Sequence, residues 1–418
     1  MITIMPKKYK PVPVSKLLRK LQNIASLMLD LSYTSIIFQG ETSKLSKEVF
    51  RLESRVNNLV TQLEVQIMLA TRDVEDAEAN ISFLRIGQAL NQIAYAAADI
   101  ANISTKSVTG IPELFKFIIE HSDERIIRSK LSAASWKDLF NMKINQIEEL
   151  FGFDIMAISR GQKVIFKFKK VRLQVDDRLY VRGPTKALDV FSKSVKGKLT
   201  DKETIISKLD DIDNQKEIEI YGLQFNQQEK QIIQALTQLK NKSELSLNLA
   251  LSAILLNEQK LANEVMRLEK ELDHLDRNIG IQALKLQSTT DEEREKILNL
   301  IKFSKALEEI SDASLHIIQP FIMNMERHPL LTDIVQKGDE KINVYEIDDE
   351  SEAVNCTIEE FEARVHGIFV VCIYQSNQQG YLFDPPENYL IKSGDTLIIK
   401  SYGRPKKRLK VFEDSGEE

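Results

Sequence analysis

Glu48-Val49-Phe50-Arg51-Leu52-Glu53 returns as Glu264-Val265-Met266-Arg267-Leu268-Glu269, 216 residues further along the chain. Three more pairs repeat in the same order. Asp123-Glu124 recurs as Asp339-Glu340, and Ala89-Leu90-Asn91-Gln92-Ile93 as Ala306-Leu307-Glu308-Glu309-Ile310. Asp177-Arg178-Leu179-Tyr180-Val181 corresponds to Asp395-Thr396-Leu397-Ile398-Ile399. Ordered matches at offsets of 216 to 218 read as a duplication of one unit of roughly 200 residues.

The first part of each copy is helical. From Val14 to Phe38 and from Leu45 to Ala70 apolar residues recur every three or four positions, as in Leu17, Leu18 and Leu21, then Leu52, Val56 and Val60. Asp73 and Asp76 precede a third run, Ala77 to Ile103, where an Asp is a good N-cap. The second copy reads as helices over Leu223–Leu239, Ser243–Asn257, Gln259–Leu286 and Asp291–Gln319. Each first part is therefore expected to be an antiparallel bundle of long amphipathic helices.

The second part of each copy is mixed. Arg125–Leu131 reads as a strand and Trp136–Leu150 as a helix stopped by Gly152. Phe153–Ile158 and Val164–Phe168 alternate as strands, a turn at Asp176-Asp177 precedes Leu179–Arg182, and Gly183-Pro184 opens a helix over Thr185–Ser194. The second copy repeats the order with Ile342–Ile347, helix Thr357–Val365, Ile368–Tyr374, Gly380–Phe383 and Thr396–Lys400; the basic segment Lys406–Leu409 takes the place of the last helix. Val195–Asp201 reads as the linker between copies. The expected fold class is a multidomain chain of two helical bundles alternating with two small α+β domains, bounded as 12–120, 121–196, 203–327 and 328–412.

Composition narrows the function. The 57 Lys+Arg and 62 Asp+Glu residues give a net charge of −5 over 418 residues, which argues against a nucleic-acid binder working by bulk positive charge. Two cysteines, Cys356 and Cys372, make no disulfide framework, so a reducing cytoplasmic setting is the expectation. The most apolar helical stretch, Leu245 to Asn257, has 13 residues, whereas a spanning helix needs about 20. The start, MITIMPKKYKPVPV, lacks the apolar segment of a secretory signal. It and the acidic end, Glu413–Glu418, read as solvated tails.

Leu84-Arg85-Ile86-Gly87-Gln88-Ala89, continuing to Ile93-Ala94, resembles the "Glu-Arg-Ile-Gly-Asp" run of PhoU domains, the helical bundles of phosphate-uptake regulators; Glu269 and Asp273 keep the spacing of that family's other carboxylate motif. The α+β parts resemble TrkA-C domains, the ligand-sensing C-terminal half of regulators of potassium conductance. The resemblance rests on Asp123-Glu124 and Asp339-Glu340 before the first strand and on the ending Leu390-Ile391-Lys392-Ser393-Gly394-Asp395-Thr396-Leu397-Ile398-Ile399. That ending is degraded in Leu173–Gly183, and His328-Pro329-Leu330-Leu331 looks like the joint between the two domain types.

The double resemblance implies a non-enzymatic cytosolic regulatory subunit of a potassium or other cation channel or transporter. Paired TrkA-C-like domains would sense a small anionic ligand such as cyclic di-AMP. It also implies a homodimer that reaches the membrane peripherally through that partner, with no membrane insertion of its own. The alternatives are a phosphate-uptake-type signalling adaptor and a metal-binding PhoU-like protein.

A carboxylate metal site needs several Asp or Glu oxygens converging on one place. Leu84 and Gln88, and in the second copy Ile301 and Lys305, stand where the resembled motif has acids; Glu53 is followed by Asn57. Only Glu269/Asp273 remains, so no metal is expected there. His274 beside Asp273 and His121 before Glu124 give no metal-binding spacing. There is no Gly-x-Ser-x-Gly, no Walker loop and no Gly-x-Gly-x-x-Gly, so no catalytic residues are assigned. The ligand-site candidates are Phe153, Ile155 and Ile158 as apolar platforms, with Arg160 and Lys163 as donors; core residues and a solvated hairpin are the plainer account of them. The equivalent loop in the second copy, Gln375–Gly380, carries no charge.

Overall fold

In the computed structural model, the described residues are 11–403 apart from 39–42, 106–110, 121, 123, 162, 167, 169–170, 211–225, 287, 324–330, 333–334 and 336–340. His121, Asp123, His328, Asp339, Glu340 and Lys406–Leu409 therefore lie outside the described residues.

The first copy begins with α1 (Val14–Ile37), α2 (Ser43–Ala70), α3 (Val74–Thr105) and α4 (Ile111–Glu120). Asp73 starts α3 by accepting a 2.8 Å hydrogen bond from the Asp76 amide. The second copy supplies α8 (Gln227–Leu256), α9 (Gln259–Leu284), α10 (Asp291–Ile317) and the short α11 (Gln319–Ile322). The two helices expected over Leu223–Asn257 are one in the described residues, α8. The polar run Lys240-Asn241-Lys242 looks like an interruption, but Lys240 is buried and bonds Glu244 one helical turn on at 2.8 Å, so the helix continues through it. The two bundles meet along α3 and α10, and a single apolar core runs through both. Phe303 sits in that seam, 4.6 Å from the Phe115 ring and 6.3 Å from Tyr33.

Each bundle leads into a four-stranded antiparallel sheet. In the first, β1 (Arg125–Lys130), β2 (Asp154–Arg160), β3 (Lys163–Ile165) and β4 (Arg178–Gly183) are ordered β1-β4-β2-β3. In the second, β5 (Lys341–Glu346), β6 (Ile368–Gln375), β7 (Gly380–Phe383) and β8 (Asp395–Ser401) are ordered β5-β8-β6-β7. Both carry a bulge at the same place, between Ile155 and Ala157 and between Val370 and Cys372. Identical order and bulge confirm that the sheets are copies of one another.

The helix expected over Trp136–Leu150 is two pieces, a 3-10 turn at Lys137–Phe140 and α5 (Ile144–Phe151). Lys143 is extended between them, and its amide donates to the Gln146 side chain at 2.9 Å, which restarts the helix. Gly152 then takes the left-handed conformation, φ 72°, and stops α5 as expected. In the second unit α12 (Ile358–Val365) is opened by Thr357, whose side chain accepts from the Glu360 amide. The segment from 203 on, assigned from sequence to the second bundle, does not begin there. After α6 (Thr185–Val195) comes α7 (Lys202–Asp210), and Ile205 and Leu209 of α7 are buried in the core of the first α+β unit. That amphipathic pair is too short to stand out from a linker by periodicity.

One face of each sheet covers its own helices and the other lies on the helical core. Ile155 and Ile158 of β2 face α5 and α6, whereas Met156 and Ala157 join the bundle core, as Val371 and Cys372 do in the second copy. The two α+β units also pair with each other within the chain. Gly152 and Gly367 are in contact, and the Gly403 amide donates to Asp154 at 3.1 Å. None of the described helices is long and apolar enough to cross a membrane.

Candidate functional site: a buried charge network where four units meet

β4 and β8 occupy the same position in their two sheets, and each carries a cation at its next-to-last residue: Arg182 and Lys400, 218 residues apart. Both are buried, at 9% and 4% exposure, each directly after a buried apolar residue of its strand, Val181 and Ile399. An isolated buried charge is costly, so each must find an acid. Arg182 Nη1 donates to Asp30 of α1 at 2.6 Å and lies 3.5 Å from Glu124; its other terminal nitrogen is 3.8 Å from Asp154. Lys400 Nζ donates to the other oxygen of Glu124 at 2.6 Å. Glu124 thus joins a cation of the first α+β unit to a cation of the second. From α8, Lys240 and Glu244 complete the group, with the Lys240 ammonium 5.2 Å from the Tyr33 ring centre. Tyr402 lies 5.8 Å from both Arg182 and Lys400.

Four acids and three bases therefore meet at the point where both bundles and both sheets converge. Burial alone would push the Glu124 carboxyl up, but Lys400, Arg182 and Lys240 outweigh it and hold Glu124 well below the usual carboxylate range. Glu244 goes the other way: burial raises it, Lys240 offsets only part, and the nearby Glu124 charge raises it further. Beside the network lies a cavity of about 30 Å³ lined by Glu124, Glu244, Asn241 and Phe369, room for about one water. Such a network contributes little net stability compared with an apolar core, but it penalises any arrangement that separates its members. Sequence reasoning singled out Glu124 and missed Arg182 and Lys400. The signal was a basic residue at one position of a duplicated apolar strand.

The residues nominated from sequence do not form one site. Phe153, Ile155 and Ile158 are buried in the core of the first α+β unit, with Phe153 stacked 5.4 Å from Phe151 and edge-on to Phe191 at 4.8 Å. Arg160 makes a two-point contact with Asp177, 2.8 Å for each bond, and donates to the Arg172 carbonyl at 2.6 Å. Lys163 is exposed on the short β3. On α9, burial raises the Glu269 carboxyl, and Asp273 and Asp312 raise it further. Among the described residues no group of three or more His, Cys, Asp or Glu is placed to hold a metal ion. Cys372 is buried and its thiol is pushed far up, chiefly by that burial, which leaves no reactive thiolate.

The profile of the PhoU domain matches residues 18–104 and 236–320. No curated protein matches the chain. Among solved structures, PhoU from Pseudomonas aeruginosa is 12% identical, covering 75% of this chain and 96% of that one at a TM-score of 0.37. The GsuK channel bound to NAD is 9% identical over 80% of this chain and 65% of that one, TM-score 0.18. The GsuK RCK domain is 10% identical over 81% and 78%, TM-score 0.17. Overlaps this loose carry no argument about fold or function. The profile matches fall on α1–α3 and on α8–α10, so the chain carries two PhoU-like helical domains, one in each repeat and each followed by a small antiparallel sheet.

Proposed function

We propose that the protein is a non-enzymatic regulatory subunit of a potassium or other cation channel or transporter. In this reading its paired α+β units are TrkA-C-like and sense a small anionic ligand. The observation that carries the reading is the bridge made by Glu124 between Arg182 and Lys400, one cation from each unit, with Arg182 also held by Asp30 of the first bundle. A ligand that favours a second arrangement of the paired units must break or rebuild these contacts, so its differential affinity is passed to the helices. The bundles then form the surface that meets the membrane partner, and the protein works in the cytoplasm at the membrane face.

The second reading, a phosphate-uptake-type adaptor, draws on the PhoU profile matching both bundles. The two predict different company. Purification of the tagged chain from native membranes should bring a cation channel or transporter under the first reading, and a phosphate transporter or its sensor kinase under the second. Calorimetry with cyclic di-AMP tests the ligand. Heat of binding together with a changed scattering profile supports sensing; a phosphate-linked partner and no nucleotide binding overturn the first reading in favour of the second.

A further inference from the structure

The duplication places two equivalent seams where α3 and α10 cross, and they differ. In one, His316 and Gln92 meet, with Nδ1 3.0 Å from the amide oxygen. Their counterparts 217 residues away are Asp99 and Glu309. These are two carboxylates, and no hydrogen bond can join them while both are ionised. Burial raises the Glu309 carboxyl and the Asp99 charge raises it further. That second seam holds a cavity of about 160 Å³, comparable to cavities of ~150 Å³ that accept a benzene-sized molecule.

The lining has a definite chemistry. Asn299 is fully buried, yet no protein group meets its amide oxygen or its amide nitrogen. A buried amide left in that state is costly unless something else meets it. Lys302 supplies a cation, Ile103 and Ala306 supply apolar lining, and Asp99 and Glu309 supply acceptors. Lys305 is already engaged by Glu308, which leaves one cation against two acids. A multiply charged anion is disfavoured by that balance, and a purely apolar molecule leaves the Asn299 amide unmet.

We propose that this seam binds a small zwitterion of the α-amino-acid class. Its ammonium lies between Asp99 and Glu309, in the role that the His316–Gln92 contact fills in the twin seam. Its carboxylate is received by Lys302 and the Asn299 amide. The site lies in the helical domains, away from the paired sheets, and does not depend on which partner the protein serves.

The test is calorimetric titration of the full chain with the common α-amino acids, and separately with inorganic phosphate, putrescine and Mg²⁺. At least one amino acid should bind at millimolar concentration or better, about one per chain. The double change Asp99→His with Glu309→Gln installs the pair that the twin seam already accommodates. It should keep the melting temperature and weaken binding by about tenfold or more. Lys302→Met, at a half-buried position, should weaken binding similarly and serves if the double variant is unstable. The proposal is overturned if no amino acid binds, if either variant folds and still binds amino acid as the parent does, or if the variants abolish binding of phosphate, putrescine or Mg²⁺ and of nothing else.

Discussion

Gly152 and Gly367 stand back to back where the two α+β units meet: a Cβ on Gly152 would lie 2.6 Å from the Gly367 Cα, and one on Gly367 would lie 2.5 Å from the Gly152 Cα. Both have positive φ, 72° and 84°, so each also occupies backbone space that an L side chain resists. They hold equivalent places, each just after the helix of its unit and before the long central strand. The duplication thus brings the same residue of both copies to one contact, as a two-fold arrangement requires.

Alanine at either position must push the two units apart and also adopt a strained φ. We expect Gly152→Ala and Gly367→Ala each to cost about 2 kcal/mol or more in urea unfolding. Because the two share one contact, the double variant should cost clearly less than the sum of the singles. Additive costs would place the two glycines in separate environments.

Arg182→Met leaves Asp30 without its 2.6 Å partner in a buried setting and takes from Glu124 the second of its cations, after Lys400. The expected loss is about 3–5 kcal/mol, seen as a lower urea midpoint of the tryptophan transition. Arg294→Met removes an ion pair on the surface of α10, where Arg294 is 3.0 Å from Asp291, and should leave the midpoint unmoved. Equal effects of the two changes would contradict the assignment of Arg182 to a buried network.

The acid limb of stability should report Glu124. Its folded-state pKa lies below its unfolded value of about 4.3, so its contribution is complete above about pH 5 and is lost as pH falls through the folded value. Glu124→Gln removes that dependence. The parent should therefore lose more stability than the variant between about pH 5 and pH 3. Parallel pH profiles would show that Glu124 titrates normally.

Gly280 lies inside α9, and a Cβ added there would meet nothing within 4 Å. Gly280→Ala should stabilise the protein by about 1 kcal/mol through helix propensity alone, read as a higher melting temperature. A loss of stability would mean that the α9 surface is covered.

Much of this architecture was legible in the chain. The 216–218 offsets announced the duplication, and three- and four-residue periodicity located α1, α2, α3, α9 and α10 within a few residues. What misled the reading was polarity in unexpected places. The polar run at Lys240 reads as a break because a lysine in a helix core is rare; its burial against Tyr33 of α1 is set by tertiary packing. α7 was missed because Ile205 and Leu209 are too few to set a period. Phe153, Ile155 and Ile158 looked like a ligand platform because alternation in a strand says which residues share a face and not what covers that face. The network of Glu124, Arg182 and Lys400 joins residues up to 276 positions apart, a relation that local pattern does not contain. The open seam at Asp99 and Glu309 becomes visible only when each residue is compared with its counterpart in the closed one.

The central claim is that the paired sheets and both bundles form one mechanically linked body. The chain has a single tryptophan, Trp136, buried in the first α+β unit, while the far-ultraviolet circular dichroism is dominated by the long helices of the bundles. Urea unfolding followed by both signals tests the claim directly. The two transitions should coincide in the parent and separate in Arg182→Met. Separate transitions in the parent, with tryptophan fluorescence changing while the helices persist, would contradict it.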